Sequence, residues 1–167
     1  RGPATERLCR ALAALPQRPG VLVSASATGL YGNRGDELLD EDSAPGTGFL
    51  ADVARHWERA TQPAADAGVR VVQLRIGLVL ERSGGALARM LLPFRLGLGG
   101  MLGNGRQWQS WISRHDLLRA ILFAVRTGTL RGPALATSPT PVTNREFTKA
   151  LGRALRIKGD ASAGDSL

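Results

Sequence analysis

Short strand-like segments of apolar residues alternate along this chain with segments whose apolar residues have helical spacing. The predicted strands cover residues 21–26, 69–74, 111–112 and 130–137, and the apolar run of the second continues from 76 to 80. Alternation of this kind places a helix between successive strands, and such connections join parallel strands of one sheet. The sequence therefore predicts an α/β fold built on a parallel sheet.

The segments between these strands carry helix start and stop signals. Gly68 is a predicted stop, Asp116 can cap or stabilise a helix start, and Thr143 or Asn144 is a predicted N-cap with Glu146 in the first turn. The first predicted helix places three leucines on one face, namely Leu8, Leu12 and Leu15. The predicted helices cover residues 1–15, 49–67, 84–93, 116–126 and 143–155.

Composition limits the class of protein. The chain has 167 residues, of which 43% are hydrophobic, and this suits one α/β domain with its own core. No apolar run approaches the ~20 residues of a membrane span, so we expect no membrane partner. Cys9 is the only cysteine, which excludes an internal disulfide and favours a reducing compartment such as the cytoplasm. The small polar residues 158–167 are predicted to form a disordered tail.

The positive charge does not by itself indicate a binding function. The formal net charge is +8, but the arginines are spread singly, with no basic run and no interleaved aromatic residues. We therefore expect no nucleic-acid partner. His56, His115 and Cys9 lack metal-ligand spacing, which predicts no metal site. Several acidic residues between 36 and 42 predict a solvated loop rather than a general acid.

The first predicted strand runs into small hydroxyl residues and a Tyr-Gly turn. Ser26 is the best candidate for a hydroxyl that polarises a substrate, and Thr28 is the next. The alternative is a buried strand whose terminal hydroxyls cap backbone groups. Tyr31 lines a pocket in the first interpretation and packs at the turn in the second, which is the safer expectation for it.

Several further motifs follow the same order as in a known family. Together they resemble the atypical extended short-chain dehydrogenase/reductases called epimerase family or nucleoside-diphosphate-sugar epimerase proteins. The resemblance covers residues 1–157, and its Pro-Phe-Arg-Leu-Gly-Leu-Gly-Gly stretch is specific. The motifs lie at residues 24–32, 57–58, 74–80, 84–87, 90–100, 103–107 and 110–112.

The resemblance implies a fold and a domain arrangement. The fold is a partial Rossmann-like parallel sheet with helices on both faces. Residues 1–157 are expected to form the later portion of one NAD(P)-binding domain, with its substrate-side segments and without its N-terminal part. No glycine-rich strand–turn–helix motif for the cofactor pyrophosphate occurs in the sequence.

The resemblance also implies a function and a set of site residues. The implied function is an NADP(H)-dependent oxidoreductase- or epimerase-like protein of unknown substrate, with NAD as the second candidate cofactor. The substrate would be a small molecule, with a nucleotide sugar as one candidate, and a homodimer is a candidate assembly.

The implied catalytic residues are Ser26, Thr28 and Tyr31, although a gap-free match puts Ala27 at the family's serine position. The implied cofactor-binding residues are Ser24, Ala25, Ile76, Gly77, Leu78 and Val79. The implied substrate-binding residues are Phe94, Arg106 and Gln107.

Two departures from the family pattern concern chemistry. Leu50 and Ala54 stand where the wider superfamily has the Tyr-x-x-x-Lys pair, in which the lysine lowers the tyrosine pKa for proton exchange. Gln109 stands where extended members carry an arginine that clamps a diphosphate, unless Arg106 compensates. The alternatives are therefore a non-catalytic dinucleotide-binding module or an inactive fragment of a longer protein.

Overall fold

The computed structural model describes residues 2–155, so the predicted tail of residues 158–167 lies outside the described residues. Within these residues, seven strands and six α-helices follow one another, with a short 3₁₀ turn, Thr28–Tyr31, after the first strand. In chain order they are α1 Gly2–Ala13, β1 Val21–Ala27, α2 Phe49–Arg59, α3 Gln62–Asp66, β2 Arg70–Ile76, β3 Leu78–Leu80, α4 Gly85–Arg95, β4 Trp108–Gln109, β5 Trp111–Ser113, α5 Arg114–Arg126, β6 Gly132–Ala136, β7 Val142–Thr143 and α6 Asn144–Ala154.

The main sheet has the strand order β1-β2-β6, and both pairings are parallel. Two small sheets accompany it, a parallel pair of β3 and β5 and an antiparallel pair of β4 and β7. The predicted α/β fold with a parallel sheet is confirmed.

Helices pack on both faces of this sheet. On one face, Val71 of β2 joins a small core with Cys9 of α1 and Ala64 of α3. On the other, Val72 and Leu74 pack against α5 and β5 through residues that include Ala124 and Ile112. Successive side chains of a strand point to opposite faces, so Ser24 and Ser26, two residues apart on β1, face the same layer.

The sequence predicted a single helix over residues 49–67, and this was wrong. The chain forms α2 and α3 instead, with a break at Ala60 and Thr61. The Thr61 hydroxyl donates a hydrogen bond to the Glu58 carbonyl, and Pro63 has no N–H to continue the helical pattern. Gly68 ends α3 with a φ of 86°, as predicted.

The apolar run of residues 76–80 is divided between two strands, because β2 ends at Ile76 and β3 begins at Leu78. The chain leaves the main sheet at Gly77, and Leu78–Leu80 pairs with β5. A Cβ at Gly77 would lie 2.6 Å from the Ser110 carbonyl oxygen, so only glycine allows this close crossing. Two sheets therefore meet at the residue that follows β2.

Helix boundaries and faces needed smaller corrections. In α1, Cys9 is buried whereas Leu8 is 52% exposed, and Leu15 lies beyond the helix end and is 43% exposed, so the buried face is offset from the leucine stripe. α4 continues through Pro93 to Arg95, because proline near the last turn leaves only one carbonyl without its partner. Ser113, three residues before the predicted helix start, is the N-cap of α5. The predicted cap of α6 is confirmed, since Thr143 and Glu146 form a reciprocal capping box.

Candidate active site at the carboxyl edge of the sheet

β1 and β2 end side by side, with Ser26 opposite Arg75 and Ala27 opposite Ile76. The turn Thr28–Tyr31 follows β1 at this edge, and Gly77 follows β2. In open parallel sheets, ligands bind outside the carboxyl ends of the strands. The predicted catalytic and cofactor-binding segments thus share the edge at which α/β proteins bind their ligands.

Ser26 is buried, and its hydroxyl already has a partner. It is 5% exposed, and its Oγ donates a hydrogen bond of 2.7 Å to Oε1 of Glu58 in α2. A hydroxyl has one proton to donate. In this arrangement Ser26 has no proton left with which to polarise a substrate carbonyl.

Glu58 also pairs with Arg75, which the sequence analysis did not select. Arg75 Nε donates to Glu58 Oε1 at 3.0 Å, and Arg75 Nη2 donates to Glu58 Oε2 at 3.1 Å. The guanidinium therefore binds both carboxylate oxygens. The Arg75 side chain is 8% exposed and the Glu58 side chain is 15% exposed. A buried charge needs a partner, and Arg75 between the apolar residues Leu74 and Ile76 was the signal that could have revealed this pair.

Tyr31 takes part in the same buried network. Its hydroxyl donates to the Asp40 carbonyl at 2.7 Å and accepts from Nη1 of Arg75 at 2.8 Å. Burial raises the pKa of the phenol, although the hydrogen bond and the positive charge of Arg75 act in the opposite direction. The ring is 3% exposed, which places Tyr31 in packing contacts at the turn.

Thr28, unlike Ser26 and Tyr31, has a hydroxyl without a hydrogen-bond partner among the described residues. It is half-buried at the first position of the turn, and its side chain makes no hydrogen bond with any residue between 2 and 155. Of the predicted catalytic residues, Thr28 is therefore the one whose hydroxyl can still donate to a ligand.

The predicted cofactor-binding residues lie on β1, at the end of β2 and in the segment that leaves the main sheet at Gly77. Ser24 is half-buried beside Gln73, its register partner, and Ala25 is exposed. Ile76 packs into the core under α5, while the Gly77 N–H donates to the Ala136 carbonyl. Leu78 and Val79 continue into β3, opposite Trp111 and Ile112 of β5.

The predicted substrate-binding residues lie on α4 and the turn before β4. Phe94 is half-buried and its ring packs directly over Gly99. Arg106 is exposed, and its side chain makes no hydrogen bond within the described part of the chain. The Gln107 amide donates to the Leu102 carbonyl at 2.8 Å. Gln109 carries no charge with which to clamp a diphosphate, and its Oε1 is buried without a hydrogen-bond partner among residues 2–155.

The residues at the family's Tyr and Lys positions differ in exposure. Leu50 is 67% exposed, and its Cβ is the nearest side-chain neighbour of Gly29 in the turn after β1. Ala54 is 1% exposed, so a lysine would not fit there without displacing its neighbours. The α2 helix therefore presents an apolar surface where the superfamily has its proton relay.

The acidic loop is not wholly solvated, which corrects the expectation for Glu41. Its Oε1 accepts from the Leu135 N–H of β6 at 2.7 Å, and its carbonyl accepts from Arg75 at 2.8 Å. Asp36 of the same loop accepts from the Trp108 indole at 2.6 Å. The loop thus connects the main sheet with the substrate-side segment.

The described residues hold neither a metal-binding cluster nor a membrane-spanning helix. Residues 2–155 contain no group of three or more His, Cys, Asp or Glu side chains close enough to hold a metal ion. His56 and His115 are exposed. None of the helices within that range is both long and apolar enough to cross a membrane.

Comparison with known proteins gives the family context. No family model matches the chain. An epimerase family protein of Mycobacterium tuberculosis is 52% identical over 134 residues, which is 80% of this chain and 44% of that protein. The crystal structure of a nucleoside-diphosphate sugar epimerase from Corynebacterium glutamicum has a TM-score of 0.81 at 42% identity, covering 90% of this chain and 33% of that one.

A human structure extends this comparison. The human epimerase family protein SDR39U1, crystallised with NADPH, superposes with a TM-score of 0.89 at 34% identity, covering 95% of this chain and 54% of that one. The chain thus spans between 33% and 54% of the length of these three proteins. In sequence and in its Rossmann-like fold, the chain is similar to these epimerase family proteins.

Proposed function

We propose that this chain provides the substrate-side portion of an NADP(H)-dependent oxidoreductase- or epimerase-like protein, whose substrate is a small molecule. The observation that carries the proposal is the match to the human relative crystallised with NADPH, which extends over 95% of this chain. The carboxyl edge that holds Thr28 and Gly77 would face the nicotinamide. NAD remains the second candidate cofactor and a nucleotide sugar one candidate substrate.

We propose a reducing compartment, such as the cytoplasm, as its location. The buried Cys9 thiol is free, and burial raises its pKa. A buried thiol of this kind needs no oxidising environment for folding. A homodimer remains a candidate assembly.

We propose Thr28 as the hydroxyl that polarises the reacting carbonyl. Its proton is available, whereas that of Ser26 is donated to Glu58 and that of Tyr31 to the Asp40 carbonyl. A single donor that stabilises developing charge contributes roughly a hundredfold or more in rate. Thr28→Val should then reduce hydride transfer far more than Tyr31→Phe does.

The cofactor proposal is tested by titrating NADPH fluorescence with this 167-residue chain and with the full-length mycobacterial relative. We expect micromolar affinity for the relative and at least tenfold weaker binding for this chain, because phosphate contacts at a glycine-rich helix N-terminus supply much of the affinity for a dinucleotide. Absence of NADPH binding to both proteins would overturn the proposal.

A non-catalytic dinucleotide-binding module is the second candidate. Leu50 and Ala54 favour it, since α2 carries no proton relay at those positions. In that case NADPH would bind but would not be oxidised by any member of a panel of nucleotide sugars and small carbonyl compounds. Steady oxidation by one compound, lost in Thr28→Val, would favour the enzyme.

A further inference from the structure

Arg75 donates hydrogen bonds to three separate parts of the chain. It holds Glu58 of α2 through two nitrogens, the Tyr31 hydroxyl at 2.8 Å and the Glu41 carbonyl at 2.8 Å. A guanidinium suits this task because its donors form a rigid planar fork. The end of β2 is thereby tied to a helix, to the turn after β1 and to the acidic loop.

We propose that Arg75 is a positioning residue, which holds the turn Thr28–Tyr31 and the loop of residues 32–48 against the carboxyl edge of the sheet. This inference rests on the proposed function, since it concerns the walls of the site in which Thr28 would act. Arg75 itself does not contact the ligand in this scheme.

The network cannot serve as a replacement for the missing proton relay. The Tyr31 proton is donated to the Asp40 carbonyl, and the Ser26 proton to Glu58. An arginine keeps its charge at any physiological pH, so it neither gives nor takes a proton. Because these groups are buried and paired, the role that remains for Arg75 is to hold the turn and the loop in position.

The loop depends on these contacts because it has no regular structure of its own. Residues 33–48 form neither a helix nor a strand. Asp40 and Glu41 lie near its middle, and their carbonyls are held by Tyr31 and Arg75 respectively. The Glu41 carboxylate then reaches the Leu135 N–H of β6. Loss of the Arg75 contacts should therefore release the middle of the loop before it affects the core.

The experiment compares amide hydrogen exchange in wild type, Arg75→Lys and Tyr31→Phe, with Arg55→Lys as the matched control. Lysine keeps the charge but cannot reach three partners at once, and Arg55 pairs on α2 with Asp52 only. We expect exchange in residues 28–46 to accelerate about tenfold in Arg75→Lys, which corresponds to losing one or two hydrogen bonds. Amides of α5 should remain within about twofold of wild type, as should all amides of the control.

Each result supports or overturns the assignment. Faster exchange confined to residues 28–46 supports it, and Tyr31→Phe, which keeps the ring, should show a smaller effect in the same segment. Unchanged exchange there, or equal acceleration throughout the chain, overturns it, because a residue that only stabilises the fold would act through global unfolding. If Arg75→Lys does not fold, Tyr31→Phe decides alone. Exchange needs no NADPH, so failure of the proposed cofactor binding would be seen separately.

Discussion

The hydroxyl of Ser26 and the carboxylate of Glu58 lie 2.7 Å apart and join β1 to α2 inside the protein. The same carboxylate oxygen accepts from Arg75 at 3.0 Å. A polar pair of this kind is stable in the core because each acceptor has a donor. The serine that the sequence favoured for catalysis therefore contributes to the fold.

Replacing Ser26 by alanine should destabilise the protein by about 1 to 2 kcal/mol, because one buried carboxylate oxygen loses a donor. Ser24→Ala is the matched control, since Ser24 lies two residues earlier on β1 and its hydroxyl makes no hydrogen bond with the residues that the structure describes. Urea unfolding would measure both variants. Equal stability of the two would contradict a structural role for the Ser26 hydroxyl.

Arg70 caps the end of α5 from the neighbouring strand β2. Its guanidinium donates to the carbonyls of Ala124, Val125 and Leu130 at 2.8 to 2.9 Å. Arg70→Met should lower the free energy of unfolding by about 2 kcal/mol, because two carbonyls in the last turn of α5 and the Leu130 carbonyl beyond it lose a charged donor. The control is Arg131→Met, at an exposed position. A change of the same size in both variants in thermal or urea unfolding would argue against capping by Arg70.

Local signals in the sequence were sufficient for several elements. The capping box of Thr143 and Glu146 and the stop at Gly68 depend on residues within one turn of each other, and both are found where they were predicted. The strand that begins at Val21 is likewise defined by its own β-branched residues. Such features need no knowledge of the rest of the fold.

The site could not be derived in the same way, because its contacts join distant parts of the chain. Glu58 and Arg75 meet only when α2 has packed on the sheet beside the end of β2. The crossing at Gly77 depends on Ser110, which is brought there by the pairing of β3 with β5. Residue types and spacing selected residues that lie at one edge of the sheet, but which hydroxyl remained free was decided by tertiary contacts.

Tyr31 is the only tyrosine in the chain, so its ionisation can be followed directly by ultraviolet difference absorbance. Burial raises the pKa of the folded phenol above its ordinary value of about 10. The contribution of Tyr31 to stability is thus fully present below pH about 10 and is lost as the pH rises through the folded pKa. We expect the native titration curve to lie on the alkaline side of the curve in urea. Coinciding curves would show that the phenol is open to solvent.

The outer edge of β1 is unpaired within the part of the chain that the structure describes, since β1 is hydrogen-bonded to β2 alone. Its residues are small or apolar, and Ala25 in the strand is exposed. A strand edge that has unpaired N–H and C=O groups and no charged side chain can pair with a strand of another chain. We therefore expect the 167-residue chain to self-associate through β1.

A charge on that edge should weaken the association. Ala25→Lys places an ammonium group in the strand, as natural edge strands do, whereas Ala4→Lys adds the same charge on an exposed position of α1. Size-exclusion chromatography with light scattering over a range of concentrations should show a larger monomer fraction for Ala25→Lys than for wild type or Ala4→Lys. A wild-type chain that stays monomeric at every concentration and unfolds in one cooperative transition would show that the β1 edge is protected, because an open apolar edge would pair as soon as another copy was near.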